Sequence, residues 1–134
     1  MGLIQESAVP SMDAWLAEAK RDPAAADVGM FLVHNGVVRE SAKAKVRQGA
    51  KDTRPVTGMR FSSDRAKVEQ AIEETYRMEG IYYIRVWLAD GDLSVGDDIM
   101  YVLIGGDIRP HVVDALQALV GTIKNTCVSE EEIY

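Results

Sequence analysis

Cysteine and histidine are both scarce in this 134-residue chain, which contains one cysteine, Cys127, and two histidines, His34 and His111. A single cysteine cannot form a disulfide within the chain. Neither histidine has a cysteine or carboxylate partner at the spacing typical of metal ligands. We therefore expect no disulfide, no metal site and no cofactor.

The chain also lacks long apolar runs and an excess of positive charge. No segment approaches the roughly 20 apolar residues that span a bilayer, and the N-terminus does not have the pattern of a signal peptide. We therefore expect a cytoplasmic protein without a membrane partner. The net charge of −6 argues against nucleic-acid binding, which needs a basic surface. The length, with 47% apolar residues, fits one globular domain over residues 1–134.

The pattern of apolar residues predicts alternating helices and strands. Helices are expected over 11–20, with Ser11 as the cap, over 62–78, with serine caps and an acidic first turn, and over 109–124. Strands are expected over 28–39, with a bulge at Gly36, and over 56–61, 81–89 and 99–106. A turn rich in glycine and aspartate joins the last two strands. This order favours an α+β fold with a mostly antiparallel sheet and flanking helices.

Residues 39–54 form a basic segment in an otherwise acidic protein. The segment contains six lysines and arginines, among them Arg39, Lys43 and Lys45, against only Glu40 and Asp52. Such a segment can bind an anionic substrate, or it can be a solvated, mobile part of the surface.

The helix predicted over 109–124 begins with an arginine and ends with a lysine. Arg109 precedes Pro110, at the helix end whose free N–H groups attract anions. A cation at that end therefore indicates an anion that the helix end and the guanidinium bind together. Alternatively, Asp107 neutralises Arg109, or Arg109 points into water. Lys124 borders the apolar stripe of the helix and can line a pocket beside the core, or it can simply complement the helix dipole.

Several separated motifs resemble one protein family. The motifs are "GVVR" at 36–39 with the basic segment after it, "GDLSVGD" at 91–97, "GGDIR" at 105–109, and Lys124, fifteen residues after Arg109. In this order and spacing they are similar to the large, catalytic subunit of molybdopterin synthase, from about Trp15 to Lys124. The resemblance implies an α/β hammerhead-type fold and a homodimer formed through the sheets. It also implies a small ubiquitin-like sulfur-carrier subunit that ends in Gly-Gly.

The resemblance further implies an activity in molybdenum cofactor biosynthesis. In the family, the carrier's thiocarboxylate gives sulfur to cyclic pyranopterin monophosphate, a pterin, and molybdopterin results. Lys124 matches the catalytic lysine, and Arg39 and Arg109 match residues that bind the anionic substrates. Substrate contacts are also expected from the basic segment through Lys43 and Lys45, and from pocket-lining positions. The pocket-lining positions are Val120 and His34, the latter with a structural role as the alternative.

The sequence departs from the family at two positions. Active members carry a second lysine about seven residues after the first, where this chain has Glu131, and a histidine before the arginine, where it has Ile108. The alternative is therefore a non-catalytic homologue that keeps the dimer and the carrier-binding groove. A helix over 109–124 also separates the Cα atoms of Arg109 and Lys124 by roughly 22 Å. If both act on one substrate, we expect Arg109 to come from the partner protomer.

Overall fold

A computed structural model describes residues 2–4, 8–40 and 55–134. Three α-helices are described: α1 (Met12–Lys20), α2 (Arg65–Tyr76) and α3 (Arg109–Thr122). A 3-10 turn, Pro23–Asp27, follows α1, and a π-helical turn, Ile123–Cys127, continues α3. The described strands are β1 (Leu3–Ile4), β2 (Met30–Val37), β3 (Gly58–Ser63), β4 (Ile81–Leu88), β5 (Gly91–Ser94), β6 (Asp98–Gly106) and β7 (Val128–Ile133).

A four-stranded sheet in the order β1-β4-β6-β2 forms the centre of the fold. β6 pairs antiparallel with both β4 and β2, and the short β1 pairs parallel with β4. The register of β2 shifts between Gly36 and Val37, which confirms the predicted bulge. The bulge ends the strand beside Arg39.

A second, three-stranded antiparallel sheet has the order β5-β3-β7. β5 lies inside the stretch predicted as a turn, and β7 lies in the tail, where no element was predicted. β5 has only four residues, and three of the six residues of β7 are acidic, so hydrophobic periodicity gave little signal for either strand. They form because β3 offers each of them a row of backbone partners. The α+β class with mostly antiparallel sheets is confirmed.

Side chains cap the first two helices as short polar residues usually do. Ser11 accepts from the amide of Ala14 at 3.2 Å, as predicted. The prediction of serine caps for α2 was wrong, because Asp64 accepts from the amide of Lys67 at 3.3 Å. Ser62 and Ser63 are instead held in β3 by pairing with β7. The first turn of α2 also contains no acidic residue, contrary to expectation.

The helices cover both faces of the four-stranded sheet. On one face, the guanidinium of Arg85 lies 4.5 Å from the ring centroid of Trp15 in α1 and pairs with Glu18. On the other face, Val112 of α3 packs so closely on Gly106 that a Cβ there would lie 2.7 Å from it. The core between these layers includes the fully buried side chains Phe61, Ile84, Met100, Leu103, Ile104, Leu119 and Ile123. Among the helices described, none is long and apolar enough to cross a membrane.

Candidate functional site

A small cavity of about 60 Å³ lies beside the end of α3 and the two sheets. Its wall brings together residues that are far apart in the sequence: Val37, Arg39, Met59, Ile99, Lys124, Glu130 and Glu132. Arg39 follows β2, Lys124 lies in the π-helical turn, and the two glutamates belong to β7. Two of the cations proposed from the sequence therefore share one cavity with two carboxylates that sequence reasoning missed.

Lys124 owes its place to the π-helical turn after α3. The hydroxyl of Thr126 donates to the carbonyl of Thr122 at 2.7 Å, and the amide of Asp64 donates to the carbonyl of Cys127 at 2.7 Å. These bonds hold the turn at both of its ends. Because a π-turn accommodates one residue more than an α-helical turn, it displaces the following chain from the path of α3. Lys124 is half-buried in this turn.

Arg39 is anchored through the residue before it. The amide of Val38 donates to the carbonyl of Asp97 at 3.0 Å, and the carbonyl of Val38 accepts from the amide of Gly96 at 2.8 Å. Val38 is fully buried, whereas Arg39 is exposed. The "GVVR" and "GDLSVGD" motifs thus meet in space, and their contact fixes the backbone that presents the guanidinium.

The β7 strand presents alternate glutamates to opposite sides. Glu130 and Glu132 line the cavity, whereas Glu131 lies outside it, 3.6 Å from the Arg60 guanidinium. Arg60 also pairs with Asp92 of β5 at 2.9 Å. Spacing along the sequence placed Glu131 at the family's second lysine, but the structure brings its two neighbours into the cavity. The alternation of the segment VSEEEI was the signal that could have indicated this.

His34 lies on β2 beside the same region. Burial, and then the charge of Lys124, lower the pKa of His34 below its ordinary value. Its Nε2 is enclosed and has no hydrogen-bond partner within the described part of the chain. A Cβ added to Gly36 would lie 3.8 Å from this nitrogen. The imidazole is therefore a neutral group next to a cation.

Arg109 lies at the opposite end of α3 from Lys124. It is the first helical residue and is exposed, and its predecessor Ile108 provides no side-chain cap. Asp107 does not neutralise it, because that carboxylate accepts from the Ile108 amide at 2.6 Å and from His111 Nδ1 at 2.7 Å. Over the described ranges, Arg109 has no ion pair. Of the two alternatives to an anion site, neutralisation by Asp107 and exposure to water, the structure shows the second, and an anion site at Arg109 stays a prediction.

The pair formed by His111 and Asp107 was not anticipated from the sequence. The hydrogen bond from His111 lowers the pKa of Asp107, and the same bond raises the pKa of His111. Glu79 adds a second carboxylate 3.5 Å from His111 Nε2. The spacing of four residues along a helix start was the available signal. In the part of the chain that the structure describes, no group of metal-binding side chains was found.

The remaining predicted site residues lie elsewhere. Val120 is half-buried one turn before Lys124 and packs against the core. Lys43 and Lys45 fall within residues 41–54, outside the described residues.

The cavity is suited to a small anionic group. A guanidinium and an ammonium can hold a carboxylate or thiocarboxylate, and two carboxylates in the same wall balance their charge. A volume of about 60 Å³ accommodates such a group, whereas sites for larger ligands occupy roughly 300–1,000 Å³. The cavity of one chain therefore fits a group of the size of a carboxylate and not a larger ligand.

Comparisons with known proteins agree with this geometry. The model of the family described as "MoaE protein" matches residues 6–126. A molybdopterin synthase structure from Staphylococcus aureus is similar with a TM-score of 0.71 and 16% identity, over 99% of this chain and 90% of that chain. A Helicobacter pylori complex of subunits 1 and 2 of molybdopterin-converting factor is similar with a TM-score of 0.65 and 17% identity, over 99% and 88% of the two chains. No curated protein is significantly similar in sequence.

Proposed function

The chain belongs to the MoaE protein family, and from that membership we propose that it is the catalytic subunit of a molybdopterin synthase. The membership itself supports a role in molybdenum cofactor biosynthesis. The proposed reaction is sulfur transfer from a thiocarboxylated ubiquitin-like carrier to cyclic pyranopterin monophosphate. One observation carries the proposal: Arg39 and Lys124 line one cavity of the size of a carboxylate group.

Each cation has a defined task in this reaction. The thiocarboxylate is an anion, and negative charge develops on its oxygen when the acyl group is attacked. Lys124, half-buried in the cavity, stabilises that charge in a partly water-excluded place. Arg39 offers two parallel N–H donors to the same group. The carrier's extended Gly-Gly tail therefore enters this cavity with its reactive end first.

The pterin substrate requires more room than this cavity supplies, and we infer that a second protomer completes the site. Arg109 is exposed at the far end of α3, beside free helical N–H groups that suit a phosphate. A two-fold dimer that places the start of one α3 near the end of the other brings the partner's phosphate-binding end to this cavity. The proposed assembly is therefore a homodimer with one small carrier on each protomer. The similar Helicobacter pylori structure is a complex of two different subunits, which supports a small partner subunit.

A non-catalytic role is the second candidate, and one observation favours it. Glu130 and Glu132 face the two cations of the cavity, so its formal charge is balanced before any anion arrives. In this alternative, the chain keeps the dimer and the carrier-binding groove but transfers no sulfur.

Reconstitution distinguishes the two candidates. The protein is mixed with the thiocarboxylated carrier from the same organism and cyclic pyranopterin monophosphate, and the pterin products are identified by mass spectrometry. Appearance of molybdopterin supports the enzyme. Formation of a carrier complex with unchanged pterin supports the non-catalytic homologue, and absence of a complex at tens of micromolar contradicts both.

The shared site is tested by complementation. Arg109→Ala and Lys124→Ala variants are each expected to be inactive, and a mixture that exchanges subunits should recover partial sulfur transfer. In each mixed dimer, one site keeps both residues intact. A mixture that exchanges subunits and stays inactive contradicts the composite site.

A further inference from the structure

The imidazole of His34 is a polar group without an assigned task in the mechanism above. It is half-buried, and its Nε2 is enclosed without a hydrogen-bond partner among residues 2–4, 8–40 and 55–134. Leaving a buried polar atom without a hydrogen bond destabilises the folded protein. Such an atom in a native structure calls for a specific explanation, and a water or substrate group that arrives during the reaction provides one.

The nitrogen lies beside Gly36, close to a residue of the cavity wall. A Cβ on Gly36 would lie 3.8 Å from Nε2 and 3.9 Å from the Cβ of Ile99, which is part of the cavity wall. Because Gly36 has no side chain, β2 itself does not fill the space between His34 and the wall. Lys124, which lines the cavity, is near enough to His34 for its charge to act on the imidazole.

The protonation state of His34 suits it to accept a proton. Burial and the neighbouring ammonium keep the pKa of His34 below its ordinary value of 6.5, so the ring is neutral at pH 7. With the proton on Nδ1, the lone pair on Nε2 can accept a proton. A neutral imidazole is the most common general base in enzymes.

Resting on the sulfur transfer proposed above, we propose that His34 is the general base that releases the carrier after its sulfur has bonded to the pterin. When the thiocarboxylate sulfur bonds to a pterin carbon, that carbon gives up a bond to oxygen, and carrier and pterin then share the sulfur in a thioester. Water must then cleave the bond between the acyl carbon and the sulfur. The cations Arg39 and Lys124 stabilise the oxyanion but cannot take a proton from water, and carboxylates are weaker bases than imidazole.

The step is balanced without a further reactant. The water oxygen bonds to the acyl carbon while one water proton passes to Nε2 of His34. The acyl carbon–sulfur bond then breaks, and the electron pair stays on the sulfur, which remains on the pterin. The carrier leaves as a carboxylic acid that ionises in water. His34 returns its proton to the thiolate or to solvent and is ready for the second transfer.

The test follows the shared thioester by intact-protein mass spectrometry during a single turnover. The assay contains the dimer, the thiocarboxylated carrier and the pterin substrate. His34→Gln keeps the polarity of the side chain, and His34→Phe keeps a ring, but neither can act as a base. We expect both variants to form the carrier–pterin adduct within a few-fold of the unmodified rate. Hydrolysis of the adduct should be about 100-fold slower or more, the usual contribution of a general base.

Controls separate this role from a structural one. Val33→Ala changes the preceding residue of β2, on the opposite face and 41% exposed, and should leave adduct hydrolysis unchanged. Adduct that disappears at the unmodified rate in both His34 variants contradicts the proposal, as does slow adduct formation without accumulation. Accumulation in a Glu130→Gln variant to the same level would assign the base to β7 instead. If the unmodified protein transfers no sulfur, the proposed function fails and this role with it.

Discussion

The two cavity glutamates provide the sharpest test of the site. We predict that Glu130→Gln or Glu132→Gln strengthens binding of a peptide that ends in Gly-Gly, because each change removes one negative charge from the wall that receives the peptide carboxylate. Glu131→Gln is the matched control. It makes the same substitution one residue away, on a side chain that is 69% exposed and lies near Arg60.

The size of the effect follows from the dimensions of the cavity. A volume of about 60 Å³ is roughly 5 Å across, and a contact distance of about 3 Å separates its edge from the wall atoms. An anion held by Lys124 therefore lies about 8 Å from a carboxylate in the opposite wall. At an effective dielectric constant of about 20 it feels roughly 2 kcal/mol of repulsion. Removing one carboxylate should therefore lower the Kd of the peptide by up to about 30-fold. The gain should shrink as salt is raised from 0.01 M towards 1 M, since salt screens exposed charges.

Isothermal titration calorimetry with a synthetic peptide measures this difference. The peptide carries a C-terminal carboxylate, and a version with a C-terminal amide shows how much of the binding depends on the terminal charge. If Glu131→Gln strengthens binding as much as its neighbours do, the effect comes from the net charge of the protein and not from the cavity. If neither inward-facing substitution strengthens binding, the carboxylate does not enter this cavity.

Three further predictions concern stability and the start of α3. Asp64→Ala should lower the free energy of unfolding by about 1 kcal/mol, because it removes the cap of α2. Chemical denaturation measures this loss. Asp64→Asn keeps a side-chain oxygen at the cap and should recover most of the lost free energy. Gly106→Ala should destabilise the fold by about 1–3 kcal/mol or more, because the new Cβ would lie 2.6 Å from the backbone oxygen of Gly80. Gly121→Ala is the control, because its new Cβ meets no atom within 4 Å. Equal melting temperatures for the two variants would contradict the described packing. Because the pKa of His111 is raised, its charge stabilises the fold fully below the ordinary pKa of 6.5, and this stabilisation is lost as the pH rises through the raised pKa. Because the pKa of Asp107 is lowered, its charge stabilises the fold above the ordinary pKa of 3.8, and this stabilisation is lost as the pH falls through the lowered pKa. The difference in melting temperature between the unmodified protein and His111→Ala should therefore be larger at pH 5.5 than at pH 9, and a difference that does not change with pH would contradict the charged pair.

Sequence patterns predicted the parts of the fold that bury a regular apolar face. The strands around Val33 and Val86 and the helix that contains Leu119 came from apolar periodicity, because burial selects for it along the whole element. β5 and β7 were missed because a short edge strand depends on the partner that it pairs with and not on its own composition. The cap of α2 was misassigned because pairing across β3 kept the serines extended.

The site was predictable only in part, for a similar reason. Arg39 and Lys124 were named from the family resemblance, and the fold brings them into one cavity. The direction of the β7 glutamates depends on where the strand starts, which spacing along the sequence cannot give. The missing hydrogen-bond partner of His34 Nε2 depends on how this nitrogen packs beside Gly36 and on its burial in the folded chain. These are properties of packing between segments and not of any one segment.

The length of the π-helical turn after α3 also determines which side chains of β7 face the cavity. Side chains of a strand alternate between its two faces, so a change of one residue in the length of the preceding turn would exchange the faces. If such a change moved the pairing of β7 with β3 by one residue, the inward set would become Ser129, Glu131 and Ile133. The cavity would then hold one carboxylate instead of two beside the same two cations. One insertion or deletion in this turn can therefore alter the electrostatics of the cavity as much as a charge substitution, although no residue of β7 is itself substituted.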